Sequence, residues 1–207
     1  MDFKDQLRVA YDSDAERRIS NEETREVWKL DIRDSFLGLL QTENKTTMLE
    51  LGAGVGTDSQ FFKENGLDVL AVDLSEKMVE KCKEKGINSA VFDIYELSSL
   101  GTKFDAIYSL NVLLHIPKAD LPNILTSISD TLYSKGLFFY GVYGGEDSEK
   151  TITDKSKMGL PRFFSFFSDE ALLNLINDKF EIVSFKTIDV GSKDPTFHFQ
   201  ALTLRKK

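Results

Sequence analysis

The chain has 207 residues, of which 41% are hydrophobic and 29% charged, with a formal net charge of −8. That length serves one α/β domain with a fully covered sheet and is short for two. An acidic chain with no basic run longer than Arg205-Lys206-Lys207 offers no footprint for a phosphate backbone. No apolar run approaches the ~18 residues of a membrane span, and Met1-Asp2-Phe3-Lys4-Asp5 lacks a signal-peptide core, so a cytoplasmic protein without nucleic-acid or membrane partners is expected.

Residues 1–42 read as an amphipathic helical cap, with Val27, Leu30, Phe36, Leu37 and Leu40 forming an imperfect apolar stripe. Asn21-Glu22-Glu23-Thr24 offers a helix start with acids in its first turn. From Thr46 strands and helices alternate. Thr46–Leu51 is a strand, a glycine turn follows, and a helix runs to about Asn65, closed by Asn65-Gly66. Asp68–Asp73 is a buried strand, and Ser75 caps a helix from Glu76 to Lys85. That helix carries Cys82, the single cysteine, which has no disulfide partner within the chain and reads as half-exposed.

Asn88–Phe92 and Phe104–Ser109 are the third and fourth strands, Asp120 to Tyr133 is helical, and Gly136–Val142 is the fifth strand. The polar stretch Asp147–Lys157 reads as a loop, and Ser168-Asp169-Glu170 starts a helix to about Asn177. Phe180–Val190 and Thr196–Leu204 follow one another without a helix between them, which predicts a terminal antiparallel hairpin. The alternating part predicts a doubly wound, mostly parallel sheet with helices on both faces.

The strongest local signal is the glycine loop Gly52-Ala53-Gly54-Val55-Gly56 after the strand Met48-Leu49-Glu50-Leu51. Glycines there let the backbone turn sharply and approach a ligand. A dinucleotide site wants Gly-x-Gly-x-x-Gly with pyrophosphate on the helix N-terminus. Here Thr57 stands where the third glycine would be, and the Asp58 carboxylate at the helix start would repel a pyrophosphate. A ligand without phosphate fits better. Asp73, at the end of the second strand, can accept hydrogen bonds from both hydroxyls of a ribose, or serve as a helix cap with Ser75. Phe92 and Asp93 after the third strand could hold an adenine ring face and its amino group.

Taken together, these residues resemble the class I S-adenosylmethionine (SAM)-dependent methyltransferases, of the kind that act on small molecules, over roughly residues 46–143. Glu50-Leu51-Gly52-Ala53-Gly54-Val55-Gly56 is similar to the family's first motif, Asp73 to its ribose-binding acid, and Phe92-Asp93-Ile94 to its adenine-edge motif. Phe104-Asp105-Ala106-Ile107-Tyr108-Ser109-Leu110 matches the fourth-strand motif, and Asn111-Val112-Leu113-Leu114-His115-Ile116 the sequence after it. The resemblance implies a Rossmann-like seven-stranded sheet, SAM as cofactor, S-adenosylhomocysteine as product, and no metal. It also implies cofactor contacts from Tyr11, Glu50, Gly52, Ala53, Gly54, Gly56, Asp73, Leu74, Met78, Phe92, Asp93, Ile94, Leu110 and Asn111.

Methyl transfer from a sulfonium depends mainly on positioning, so no loud catalytic motif is required. His115 and Tyr143 are the candidate catalytic residues; for His115 a pocket-wall role stands as the alternative. The insert at 144–167, with Pro161-Arg162-Phe163-Phe164-Ser165-Phe166-Phe167, is the expected substrate side. Tyr143, Glu146, Arg162, Phe163, Phe166 and His198 are its candidates for acceptor contacts; for His198 a strand histidine satisfied by a neighbour stands as the alternative. A nicotinamide-dependent oxidoreductase and a SAM-binding protein without activity are the competing readings. Nucleobase methylation is disfavoured because Asn111-Val112-Leu113-Leu114 lacks a planar stacking clamp.

Overall fold

The computed structural model describes residues 2–20, 26–153 and 159–207. Among the described residues, six helices and nine strands follow one another as α1 (Phe3–Ser20), α2 (Val27–Thr42), β1 (Thr47–Leu51), α3 (Thr57–Glu64), β2 (Asp68–Asp73), α4 (Glu76–Glu84), β3 (Ser89–Val91), β4 (Phe104–Leu110), α5 (Leu121–Thr131), β5 (Leu132–Gly144), β6 (Ser148–Thr153), β7 (Pro161–Phe166), α6 (Asp169–Ile176), β8 (Phe180–Asp189) and β9 (His198–Lys206). Seven strands form one sheet in the order β3-β2-β1-β4-β5-β9-β8. The pairs from β3 to β5 are parallel, and β9 runs antiparallel to both β5 and β8.

Period-two alternation in the central strands explains the layering. Leu49, Ile107, Phe138 and Tyr140 face one core with Ile124 and Ile128 of α5 and Leu172 and Ile176 of α6. Met48, Ala106, Tyr108 and Phe139 face the other, with Phe36 and Leu40 of α2 and Phe62 of α3. The chain winds from β1 outward to β3, then returns to place β4 on the other side of β1. Strand order therefore reverses between β1 and β4, and the crevice beyond their carboxyl ends is where such sheets bind ligands.

Two expectations need correction. The polar stretch predicted as a loop at Asp147–Lys157 contains β6, which pairs antiparallel with β7 as a separate two-stranded sheet, Lys150 opposite Phe164 and Ile152 opposite Arg162. The aromatic strand offers backbone groups that the polar segment satisfies, a non-local effect that composition does not reveal. Cys82 is buried, not half-exposed, and its thiol lies 3.2 Å from the Gly54 carbonyl. The helical cap is two helices with different jobs. α2 packs into the core, its Phe36 ring 5.9 Å from that of Tyr108 and 5.6 Å from that of Phe139, whereas α1 lies over the carboxyl ends of the strands. The helix start expected at Asn21–Thr24 lies outside the described residues.

Candidate active site

A cavity of about 1100 Å³ opens at the strand-order reversal. Single small-molecule sites take roughly 300–1,000 Å³, so this one has room for two ligands side by side. Its two halves differ chemically.

The glycine loop floors the first half. Gly52, Gly54 and Gly56 all have positive φ, at 64°, 57° and 81°. At Gly52 a Cβ would lie 2.3 Å from Val112 Cγ2, so glycine lets the β1 loop pass against the segment after β4. The Gly54 amide donates to Asp73 Oδ2 and the Ser75 amide to Oδ1, each at 2.9 Å. Burial raises the Asp73 pKa above the usual carboxylate value, with those amides opposing it. Glu50 is buried at the end of β1 and accepts a short hydrogen bond from the Ser59 hydroxyl of α3. Asp93 caps a 3-10 segment, Ile94–Leu100, by accepting from the Tyr95 amide at 3.0 Å.

α1 closes this half from above. Lys4 donates to Asp93 Oδ2 at 2.7 Å, and Ser75 donates to Asp12 Oδ1 at 2.5 Å. Further along α1, buried Asp14 accepts from Arg17 and Arg18. Burial alone would raise the Asp14 pKa, but the two guanidinium groups hold it below the usual value. This pairing presents Arg18 to the cavity beside Tyr11, whose ring centroid lies 4.9 Å from the Arg18 guanidinium carbon.

His115 stands at the junction of the two halves. Its Nδ1 is 2.6 Å from the Phe163 carbonyl; a carbonyl only accepts, so Nδ1 carries the proton. Nε2 therefore accepts from the Tyr11 hydroxyl, also at 2.6 Å. Burial lowers the His115 pKa to about 4. The ring is neutral at physiological pH and both nitrogens are engaged, so a proton from a substrate reaches it only through the Tyr11 oxygen.

The second half is aromatic. Trp28, Tyr143, Phe164, Phe166 and Phe197 line it. Tyr143 stacks on Phe197 at 5.5 Å and 6°, and Phe164 on Phe166 at 5.7 Å and 7°. Burial pushes the Tyr143 pKa up to about 12, with Glu26 adding to it, so its hydroxyl stays protonated and able to donate.

Of the sequence-derived candidates, Tyr11, Glu50, Gly52, Ala53, Gly54, Asp73, Leu74, Phe92, Asp93, Ile94, Leu110, Asn111, His115, Tyr143, Arg162 and Phe166 all line this cavity. Five do not. Met78 packs in the core with Ala15 and Val55. Gly56 serves packing, because a Cβ there would lie 2.6 Å from Ile87 and 2.9 Å from Cys82. Glu146 is exposed and meets Lys150 at 3.3 Å. Phe163 turns outward onto Phe3, with ring centroids 5.9 Å apart. His198 is held by the Thr196 carbonyl at 2.7 Å and Asp169 at 2.9 Å. Phe164 takes the place expected of Phe163, because alternate residues of a strand share a face; reading 161–166 as a strand would have selected Arg162, Phe164 and Phe166. Lys4, Trp28 and Phe197 carried no sequence signal, since each reaches the cavity from a distant element.

Among the described residues no helix is long and apolar enough to cross a membrane, and no group of three or more His, Cys, Asp or Glu is placed to hold a metal. Solved structures share the fold. Magnesium protoporphyrin IX methyltransferase from Synechocystis, with bound SAM, superposes at a TM-score of 0.71 with 16% identity, covering 100% of this chain and 98% of that one. The 1,6-didemethyltoxoflavin-N1-methyltransferase of Burkholderia thailandensis, bound to 1,6-didemethyltoxoflavin and S-adenosylhomocysteine, gives 0.65 with 22% identity over 93% of this chain and 87% of that one. In sequence, magnesium-protoporphyrin O-methyltransferase of Synechocystis is 30% identical over 39% of this chain and 37% of its own length. Malonyl-[acyl-carrier protein] O-methyltransferase of Hamiltonella defensa is 39% identical over 31% of this chain and 26% of its own. These two matches thus span about a third of the relatives' length or less. The family described as "Methyltransferase domain" matches residues 20–179, most of the chain and all of the strand-order reversal, and the chain belongs to that family.

Proposed function

We propose that the protein transfers the methyl group of SAM to a small-molecule acceptor. The observation that carries this is the continuity of one cavity from an acid-lined half at the glycine loop to an aromatic half beside β7. The donor set fits SAM. Asp73 has carboxylate oxygens for vicinal hydroxyls, Asp93 is an acceptor for an exocyclic amine, and Glu50 is an acid suited to an ammonium group. Arg18 and Tyr11 favour the carboxylate at the same end. The acidic lining is unsuited to a pyrophosphate but favourable to a cationic sulfonium.

SAM would supply an electrophilic methyl carbon: the acceptor's lone pair forms the new bond, and the carbon–sulfur pair returns to sulfur. The chain's part is positioning and exclusion of water. α1, tied down through Lys4, Tyr11 and Asp12, roofs the cavity. The aromatic walls orient a flat acceptor. A proton released by the acceptor can pass to the Tyr11 oxygen while Tyr11 gives its own to His115 Nε2. The concave cavity and the net charge of −8 support a small-molecule acceptor over a nucleic acid.

The test is calorimetric titration with SAM, S-adenosylhomocysteine and NADH, on the wild type and on Asp73→Ala. Binding of SAM and S-adenosylhomocysteine but not NADH, weakened in the variant, is expected. Absence of binding by both adenosyl compounds, or binding of NADH alone, would overturn the proposal.

A further inference from the structure

Arg162 is a buried cation that no acidic side chain pairs with among the described residues. It projects from β7 into the aromatic half of the cavity, is only 8% exposed, and has its Nε sealed from solvent without a hydrogen-bond partner. Among the described residues it meets the Phe164 ring, 5.1 Å from the guanidinium carbon, and its charge opposes protonation of nearby His115. The acids that line the cavity are engaged elsewhere. Glu26 meets Lys29 at 2.8 Å, Asp58 faces Arg33 at 3.7 Å, Asp93 holds Lys4 at 2.7 Å, and Glu50 and Asp73 accept from Ser59, Gly54 and Ser75.

A guanidinium removed from water and left unpaired is expensive, and folds retain one where a partner arrives to complete it. Its planar fork matches a carboxylate in a bidentate pair. On the wall of the same cavity, Tyr143 presents a protonated hydroxyl, while stacked rings offer flat faces to the rest of a ligand. One guanidinium neutralises one negative charge, which suits a monoanion better than a phosphate ester carrying nearly two.

We propose that the acceptor is a flat, largely apolar monocarboxylate, its carboxylate paired with Arg162 and its body against the aromatic wall formed by the Tyr143–Phe197 and Phe164–Phe166 ring pairs, which meet edge to face at Phe166 and Phe197. This rests on the methyltransferase reading for the word acceptor, but the carboxylate site itself stands on Arg162 alone.

The test uses the full chain saturated with S-adenosylhomocysteine and titrated with benzoate, 4-hydroxybenzoate and trans-cinnamate, with their neutral amides and with phenylphosphonate. The carboxylates are expected to bind roughly ten- to a hundredfold more tightly than the amides, the range of a charged hydrogen-bonded pair. Arg162→Gln should abolish that preference, and Arg162→Lys should retain part of it. Equal binding of amides, a preference that survives in Arg162→Gln, tighter binding of phenylphosphonate, or no carboxylate binding at millimolar concentration each overturns the proposal. A readout independent of any ligand is the thermal melt of Arg162→Met without additives. Removing an uncompensated charge should raise the melting temperature, and a fall would show that the guanidinium is already paired within the fold. S-adenosylhomocysteine binding is measured first. Its failure alongside a preserved carboxylate preference removes the methyltransferase reading and leaves the Arg162 site standing.

Discussion

Acidification should destabilise this protein through His115, by an amount that the structure sets. The ring is buried between the Phe163 carbonyl and the Tyr11 hydroxyl, and its pKa falls from 6.5 to about 4. Because the folded value lies below the unfolded one, the unfolded chain binds the extra proton first as pH drops. The stabilisation is fully present above pH 6.5 and is lost progressively toward pH 4. At pH 5 the two titrations differ enough to remove about 2 kcal/mol of folding free energy, a large share of the ~5–15 kcal/mol of an ordinary domain. Asp73, whose pKa is raised by burial, works with the opposite sign: its protonated form is favoured in the fold, and that contribution is lost as pH rises. Comparison with a His115→Asn variant isolates the histidine, because Asp73 and the other carboxylates are common to both proteins. Asn removes the titrating ring while offering an amide donor to the Phe163 carbonyl. Urea unfolding at a series of pH values from 7.5 to 5 measures both. The wild type should lose about 2 kcal/mol more than the variant over that range. Parallel pH profiles for the two proteins would refute the buried, neutral His115 and, with it, a Tyr11 hydroxyl that donates to Nε2.

Other outcomes follow from single contacts. Gly52→Ala places a Cβ 2.3 Å from Val112 at φ +64° and should cost about 1–3 kcal/mol in urea unfolding together with loss of S-adenosylhomocysteine binding; a variant as stable as the wild type would contradict the loop geometry. Lys4→Met releases Asp93 from its 2.7 Å ion pair and should tighten S-adenosylhomocysteine binding a few-fold, within the ~1 kcal/mol that a partly exposed pair can hold. Weaker binding would mean that Lys4 helps to hold the ligand. Glu146→Ala, at an exposed residue outside the cavity, should leave folding stability within about 0.5 kcal/mol and binding unchanged, as read by the same two assays.

Features set by local periodicity and turn chemistry were legible before any tertiary contact was known. The strands β1, β2 and β4 are apolar runs bounded by turn residues, Ser75 and Ser168 cap their helices through Met78 and Ala171 amides at 3.2 and 3.3 Å, and three glycines with positive φ stand where the loop required them. Glu50, Asp73 and Asp93 were legible for the same reason, since each sits at a strand end whose direction the alternation of elements had already implied. The remaining features depend on packing between elements. β6 exists because β7 supplies its partner, and only that pairing sends Arg162, Phe164 and Phe166 to one face and Phe163 to the other. Lys4 and Asp93, 89 positions apart, and Tyr11 and His115, 104 apart, meet because α1 folds back over the strand ends. The family resemblance made Met78 a ligand contact and its lysine-rich neighbours made Cys82 a half-exposed thiol, yet packing of α4 against α1 and the glycine loop buries both. Local sequence sets backbone conformation within a few residues; which side chains share a cavity depends on contacts between elements far apart along the chain.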